Sequence, residues 1–434
     1  MHDLYCARHY DGRVTQDAFL ENLQYVLQPE GWRLLNSLPP YSEDGALALN
    51  EKLRREGHPA GAVAALLTQS RLRARAADKF GEFAQRMLFT PDGLEQATRL
   101  SVAAHHAQRY AALSPQRVVD LGCGLGGDSL AFAGMGLNVL AIDRDPVTAS
   151  LASINLMPFP SARAEAGDFH AYVPTAGDAL WLDPARRENG RRLYDPEECS
   201  PPLSQVLELA RELGSDGAYG PVGVKLGPGI DHAALPDNCE TQWVSVRGSV
   251  VEAALWCGPL ARPGVRRSAL LLGPGGTHRL DGTGEDSEVP VGEVGPYLYE
   301  PDGAVIRSGL LGTLAAALDL HVIDQSIAYL SGADAQESPF LTGYRVRDVL
   351  PFGVKALKAY LRKEGIGNLV IKKRGAALEP EQLRRMLRPT QNGDGQATIF
   401  LTRVAGKHSV IVAEPLEKMP AAEPLKKTPM AEPL

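Results

Sequence analysis

Apolar and polar positions follow two different rhythms along this chain. Up to about residue 115 the spacing is helical. Ser42 followed by Glu43 and Asp44 marks an N-cap with acids in the first turn, and Gly57 closes that segment. Pro59 opens the next helix, and Arg71 to Met87 continues it with charges set between Ala, Phe and Leu. From Arg117 short β-rich runs take over: RVVDLG, NVLAID, ARAEAGD, DALWLD and GPVGVKL, separated by helical stretches. That is the pattern of a βα-repeat with a parallel sheet. WVSVRG and VVEAALW follow with so short a gap that the second must turn back antiparallel on its neighbour. The expectation is a helical region over 1–115, then an α/β core of seven strands over 116–282. Within that core GVRRSALLLG and THRLDG read as a small β-extension.

Residues 283–296 lie in an acidic, Gly-rich stretch and read as a linker. A second unit is expected over 297–415. Its later part runs TGYRVRDVL, VKALKAYLRKEG, NLVIKKRG, PEQLRRMLR, ATIFLTRV and SVIVAEP, an order that suits a ferredoxin-like α+β layer. AEPL then recurs at 413–416, 422–425 and 431–434. Such a Pro-punctuated repeat cannot bury enough to fold, so residues 416–434 are expected to be disordered.

Composition narrows the class. With 44% hydrophobic and 22% charged residues over 434 positions, the chain has length for two or three domains and needs no covalent staple. No apolar stretch is long enough for a membrane span, and the start MHDLYCARHYDGR lacks the apolar core of a secretory signal. The cysteines (Cys6, Cys123, Cys199, Cys239, Cys257) are odd in number and include no C-x-x-C pair. That argues against a disulfide framework and a zinc site, and suits a reducing cytoplasm. His105 and His106 have no third ligand-like partner in sequence, so they read as packing or surface residues and no metal is expected.

Candidate chemistry begins at Val118-Val-Asp-Leu-Gly-Cys-Gly-Leu-Gly-Gly-Asp128, with glycines at 122, 124 and 127 between a strand and a helix. The G-x-G-x-x-G spacing alone would equally fit a dinucleotide enzyme. Asp120 discriminates, because a carboxylate beside the first glycine repels a pyrophosphate and suits a cationic ligand. The amino group and sulfonium of S-adenosylmethionine (SAM) are such a ligand. Asp143, 21 residues after Gly122, is placed to accept from ribose hydroxyls. Asp168 ends the third strand, where an adenine amino group could be met, with Phe169 beside it for stacking. The bland alternative is that each carboxylate is a helix N-cap. Three at successive strand ends, together with the glycine loop, favour a ligand site.

From about Met87 to Cys257 this order and spacing resemble a class I SAM-dependent methyltransferase with its Rossmann-like sheet. The segments MLFTPDGLEQ, VVDLGCGLGGDS, VLAIDRDP and DALWLDPA are similar to the trimethylguanosine-synthase group of RNA-modifying enzymes. The terminal unit resembles the THUMP-like domain joined to bacterial methyltransferases. Together the resemblance covers most of 70–415. It implies SAM as cofactor, held by Asp120, Gly122, Cys123, Gly124, Gly127, Asp143, Arg144, Asp168 and Phe169.

In such folds the end of the fourth strand faces the methyl group, and here it reads Leu182-Asp183-Pro184-Ala185-Arg186-Arg187. Amine methyltransferases often carry an aromatic ring after D-P-P or S-P-P. Here Arg186 stands at that point, which weakens an amine acceptor. Base-carbon enzymes need a nucleophilic cysteine near the fifth strand, which instead ends VKLGPG with Lys225. Cys199 and Cys257 read as passive. The segment RARAADKFGEF is similar to one in ribose 2′-O-methyltransferases, and implies a set of Lys79, Asp183, Lys225 and Glu252. Clustered cations could lower one lysine's pKa until it accepts a hydroxyl proton. The alternative makes Lys79 a solvated helix residue and turns Glu252 outward on a hairpin. Arg186, Arg187, Arg191 and Arg192 form a basic patch that would suit phosphate, or would pair with Glu188 and Asp195.

Net charge is −7, yet Leu341 to Pro415 holds 14 Lys/Arg against 6 Asp/Glu, an excess of +8 that leaves −15 (−7 − 8) for the rest. Lys355, Lys358, Arg362 and Lys363 share one helix face. Lys372, Lys373 and Arg374 follow on a strand, and Arg384, Arg385 and Arg388 on a second helix. Three such clusters in an otherwise acidic protein favour structured RNA as the partner over a merely solvated face. The functional expectation is methyl transfer from SAM to RNA. The alternatives are a non-catalytic RNA-binding protein, an NAD-dependent enzyme, or a protein or small-molecule acceptor.

Overall fold

The computed structural model describes residues 23–185, 187–188, 191–193, 195–284, 288–387 and 395–416, without the side chains of 187, 188, 191 and 192. The Arg186 to Arg192 patch, Arg388, Cys6 and the AEPL tail beyond 416 therefore lie outside the described residues or side chains.

The helices described before the first strand include α1 (Pro29–Ser37), α2 (Glu43–Arg55), α3 (Ala60–Phe80), α4 (Pro91–Gln96) and α5 (Leu100–Leu113). Ser42 caps α2 by accepting from the Gly45 N–H at 3.1 Å. The long helix stops earlier than its charge pattern predicts. Gly81 takes φ +57 at its end, and a single 3₁₀ stretch, Gly81–Arg86, continues the chain. Two buried amides then anchor the extended segment that follows. Gln69 donates to the Phe89 carbonyl (2.8 Å) and accepts from its N–H (3.0 Å). Asn155 accepts from the Leu88 N–H (2.8 Å) and donates to the carbonyls of Leu88 (3.1 Å) and Leu125 (3.0 Å). The helical region thus shares a core with the nucleotide loop, in which Leu66, Phe80 and Phe89 pack with Cys123, Leu125 and Leu156.

The strands of the larger sheet are β1 (Arg117–Leu121), β2 (Val139–Asp143), β3 (Ala162–Ala166), β4 (Asp178–Leu182), β5 (Val222–Leu226), β6 (Glu240–Val246), β7 (Ser249–Trp256), β8 (Arg267–Gly273) and β9 (Gly276–Gly282). Helices α6 (Gly127–Gly134), α7 (Pro146–Leu156) and α8 (Leu203–Glu212) link the first five. The sheet order is β9-β8-β6-β7-β5-β4-β1-β2-β3. β1 runs parallel to β2 and β4, with Asp120 opposite Ala141 and Trp181. The sheet has nine strands rather than the expected seven. The supposed extension supplies the other two: β8 lies parallel to β6, and β9 turns back antiparallel on β8. The physical reason is the run Ala269–Leu272, which is buried and satisfies a row of strand N–H and C=O groups that would otherwise form an open edge. No helix among the described residues is long and apolar enough to cross a membrane.

Contacts divide the described residues into two compact units. One is the chain up to Leu226 with Leu255–Ala261; the other is Gly227–Ala254 with the chain from Arg262 onward. The second unit carries a seven-stranded sheet built from β10 (Tyr297–Pro301), β11 (His321–Asp324), β12 (Ile327–Gly332), β13 (Leu341–Pro351), β14 (Ile366–Lys373), β15 (Gly395–Val404) and β16 (Lys407–Pro415). Its order is β11-β12-β10-β13-β16-β15-β14. Two amphipathic helices, α9 (Val354–Lys363) and α10 (Pro380–Leu387), cover one face. Leu357, Leu361, Leu383 and Leu387 pack there on Ile399, Leu401, Val410 and Val412. The alternate residues Phe400, Ile411 and Ala413 point to a separate cluster with Tyr329 and Tyr344, as a period of two requires.

Candidate active site

The turn after β1 is shaped for a ligand. Gly122 has φ +84, and a Cβ there would lie 2.9 Å from the Asp183 carbonyl oxygen, so only glycine lets the ends of β1 and β4 approach. Gly124 has φ +55, and a Cβ on it would meet nothing within 4 Å. Its backbone faces open space. The Gly124 N–H donates to Asp143 Oδ2 (2.9 Å), while Asp143 Oδ1 accepts from the Asp145 N–H (3.0 Å). Asp143 thereby ties the glycine loop to the start of α7. Burial raises its pKa.

Asp120 is buried and accepts from Ser129 Oγ at 2.6 Å. Burial first, and then the carboxylates of Asp128, Asp183 and Asp143, push its pKa well above the ordinary range. This crowd of carboxylates is what a cationic ligand relieves. Cys123 is packed into the core, and burial raises its thiol pKa as well, so it contributes backbone rather than reactivity. Gly127 begins α6. Arg144 is exposed just past β2. Asp168 accepts from the His170 N–H at 2.8 Å, capping the single turn Phe169–Ala171, and the Phe169 ring is half-buried.

β4 and β5 end side by side. Lys225 Nζ donates to Asp183 Oδ2 at 2.7 Å and to Thr98 Oγ1 at 2.9 Å. Asp128 Oδ1 pairs with His106 Nδ1 at 2.8 Å, and Thr98 is among the groups that lower the Asp128 pKa. His106 also lies against the Trp181 ring, 4.3 Å between centroids. Lys225, Thr98, Asp128 and His106 are all buried. Burial alone would raise Asp128, but His106, Lys225 and Thr98 outweigh it and hold the carboxyl below its usual range. Neither Thr98 nor Asp128 stands out in the sequence, and His106 reads there as packing. The one available signal is that Asp128 directly follows the glycine loop.

The remaining expected residues are placed differently. Lys79 Nζ donates to the carbonyls of Leu94 (2.8 Å), Glu95 (2.7 Å) and Ala97 (2.8 Å), closing the C-terminal end of α4. Burial, then the charges of Lys225 and Arg99, lower its pKa to about 8. Glu252 sits on β7 in the second unit, and it is buried rather than turned to solvent. Cys257 is buried and Cys199 half-buried, and neither is in a disulfide. No group of His, Cys, Asp and Glu suited to a metal occurs among the described residues.

Fold, glycine cradle and strand-end carboxylates together define a SAM-dependent methyltransferase, and similarity to known proteins places the chain in that family. It is 35% identical over 359 residues to an uncharacterized S-adenosylmethionine-dependent methyltransferase of Mycobacterium tuberculosis CDC 1551, covering 80% of this chain and 95% of the relative. The counterpart in strain H37Rv matches equally. The chain belongs to the SAM-dependent methyltransferase family, and SAM is its methyl donor. Residues 341–415 match the THUMP domain-like family, and residues 17–76 match a domain of unknown function, DUF8688. The fold is shared with a crystal structure from Porphyromonas gingivalis W83 assigned as a methyltransferase. That structure superposes with a TM-score of 0.67 at 22% identity, over 87% of this chain and 100% of the other. The open backbone at Gly124, beside the carboxylates of Asp120 and Asp143, fits a cationic nucleoside.

Proposed function

We propose that this protein methylates RNA in the cytoplasm, with Asp183 aligning the acceptor and the THUMP-like domain holding the RNA backbone. The observation that carries this reading is the Lys225–Asp183 pair, placed where the glycine loop meets the end of β4. SAM supplies a methyl group on a positively charged sulfur. Gly122 and Gly124 give its backbone approach, Asp143 takes the ribose hydroxyls, and Asp120 lies beneath the charged end. Arg144, Asp168 and Phe169 border the adenine. Lys225 fixes one carboxylate oxygen of Asp183. The other, Oδ1, has no hydrogen bond among the described residues, and it is free to accept from an N–H or O–H of the nucleotide. Methyl transfer needs little beyond such alignment of acceptor and donor.

RNA as the acceptor is supported by the THUMP-like domain and by its surface. Lys355, Lys358 and Arg362 form no ion pair among the described residues, and Arg385 lies exposed on the neighbouring helix of the same layer. Four of the other basic positions have partners. Lys372 and Arg374 pair with Glu300, Lys373 with Glu379, and Arg384 donates to the Leu369 carbonyl. The phosphate-contacting surface is therefore the α9 face rather than all three clusters. Supplying methyl-labelled SAM to fractionated RNA, protein and small molecules from cells lacking this protein tests the reading. Label in an RNA fraction is expected; label confined to protein or small molecules overturns it.

A further inference from the structure

We infer that Thr98 is a positioning residue for methyl transfer, locking Lys225 as an ammonium aimed at Asp183. The inference rests on the reading of Asp183 as the acceptor-side group. A hydroxyl carries one proton and can donate only once. Thr98 Oγ1 is the acceptor in its bond to Lys225, so its own proton points away from Nζ. Lys225 donates to Thr98 at 2.9 Å and to the Asp183 carboxylate at 2.7 Å, and the negative charge of that carboxylate favours the ammonium form. His106 Nδ1 lies 2.8 Å from the Asp128 carboxylate. The whole chain from His106 to Lys225 is buried, where each such bond is costly to leave unmade.

Thr98 is itself clamped. Lys79 gathers the carbonyls just before it, and Arg99, just after it, donates to the Asp78 carboxylate at 2.6 Å and to the Asp78 carbonyl at 3.0 Å. Both ties run to the last turn of α3. Lys79 thus serves the site through Thr98. The charged groups bearing on Lys225 include Asp183 and Asp128, with Lys79 a neighbouring cation. An ammonium at Lys225 cannot take up a proton. The acceptor's lone pair forms the new bond to carbon, the old carbon–sulfur pair stays on sulfur, and the released proton passes to the Asp183 carboxylate.

The test combines nitrogen-15 lysine spectra of the full chain at neutral pH with labelled-methyl transfer to total RNA from cells lacking the protein. Lys225→Met assigns the Lys225 signal. The parent and Thr98→Ser are expected to show a hydrogen-bonded ammonium protected from exchange. Thr98→Val should lose that signature, and its transfer rate should fall about tenfold or more, the worth of one hydrogen bond to a charged group. SAM affinity should be unchanged. Asp128→Asn, nearly isosteric, is expected to give the same loss and stands in if Thr98→Val fails to fold. A neutral amine at Lys225 in the parent, or an ammonium signal indifferent to both variants, would overturn the inference. If the spectra behave as expected while Lys225→Met transfers methyl groups at the parent rate, the lock stands and the acceptor-side reading fails.

Discussion

Lys225 and Asp183 meet at 2.7 Å although 42 residues separate them in sequence. The contact exists because β4 and β5 are parallel neighbours, with Leu182 opposite Val224, so both strands deliver their next residue to one edge of the sheet. Lys225 is buried, while the Asp183 side chain keeps 27% of its surface open. One partner is enclosed and the other is partly open.

Gly124 offers the simplest test of the cofactor cradle. Gly124→Val places a β-branched side chain at φ +55 and fills the open space above the loop. Calorimetry is expected to show SAM affinity lost by at least about tenfold, with the thermal midpoint little changed beyond the strain of that one residue.

Asp143 does two jobs, so its removal should show in two readouts. Asp143→Ala leaves the Gly124 and Asp145 N–H groups without their acceptor and removes the proposed ribose contacts. SAM binding should weaken by about 1.5–3 kcal/mol, the range for hydrogen bonds to a charged group. Amide exchange should also quicken at Gly124 and Asp145.

The first unit's strands, its parallel order and the glycine loop were legible because their signals are local: apolar runs of five residues, glycines at fixed offsets and carboxylates at strand ends. The rest depended on contacts the sequence does not announce. His106 reaches Asp128 across 22 residues, and Thr98 reaches Lys225 across 127. A histidine in an Ala-rich helix and a threonine at a helix start have commoner explanations than a buried relay. Charge counting likewise gave +8 for 341–415 without showing that Glu300, outside that range, neutralises Lys372 and Arg374. The extra strand pair β8–β9 escaped the seven-strand expectation because periodicity shows that a strand exists, not which edge it joins.

Lys79 should leave a mark on stability at alkaline pH. Its folded pKa, about 8, lies below its ordinary value of 10.5. Below about pH 8 both states carry the charge and the folded state bears the full burial penalty. Between about pH 8 and 10.5 the unfolded chain binds more protons, so stability rises with pH across that window. Urea unfolding is expected to show this rise in the parent and not in Lys79→Met. A parallel pH dependence in both would place the shift elsewhere.

The α9 face predicts a separation of functions. Reversing Lys355, Lys358 and Lys363 to Glu should weaken RNA binding severalfold at low salt and flatten its salt dependence, because fewer counterions are released. SAM binding should be intact. Replacing Lys372 or Arg374 should instead lower the stability of the second unit, since each leaves Glu300 short of a partner.

The central claim is that Asp183, held by Lys225, aligns an RNA nucleotide with the methyl group of SAM. The most direct measurement compares Asp183→Ala with the parent in two assays on the same preparations: SAM affinity by calorimetry, and labelled methyl incorporated into RNA from cells lacking the protein. The account predicts near-parental SAM affinity with methyl incorporation reduced by about a hundredfold or more, since alignment acts on turnover rather than on donor binding. Undiminished incorporation in Asp183→Ala would contradict it.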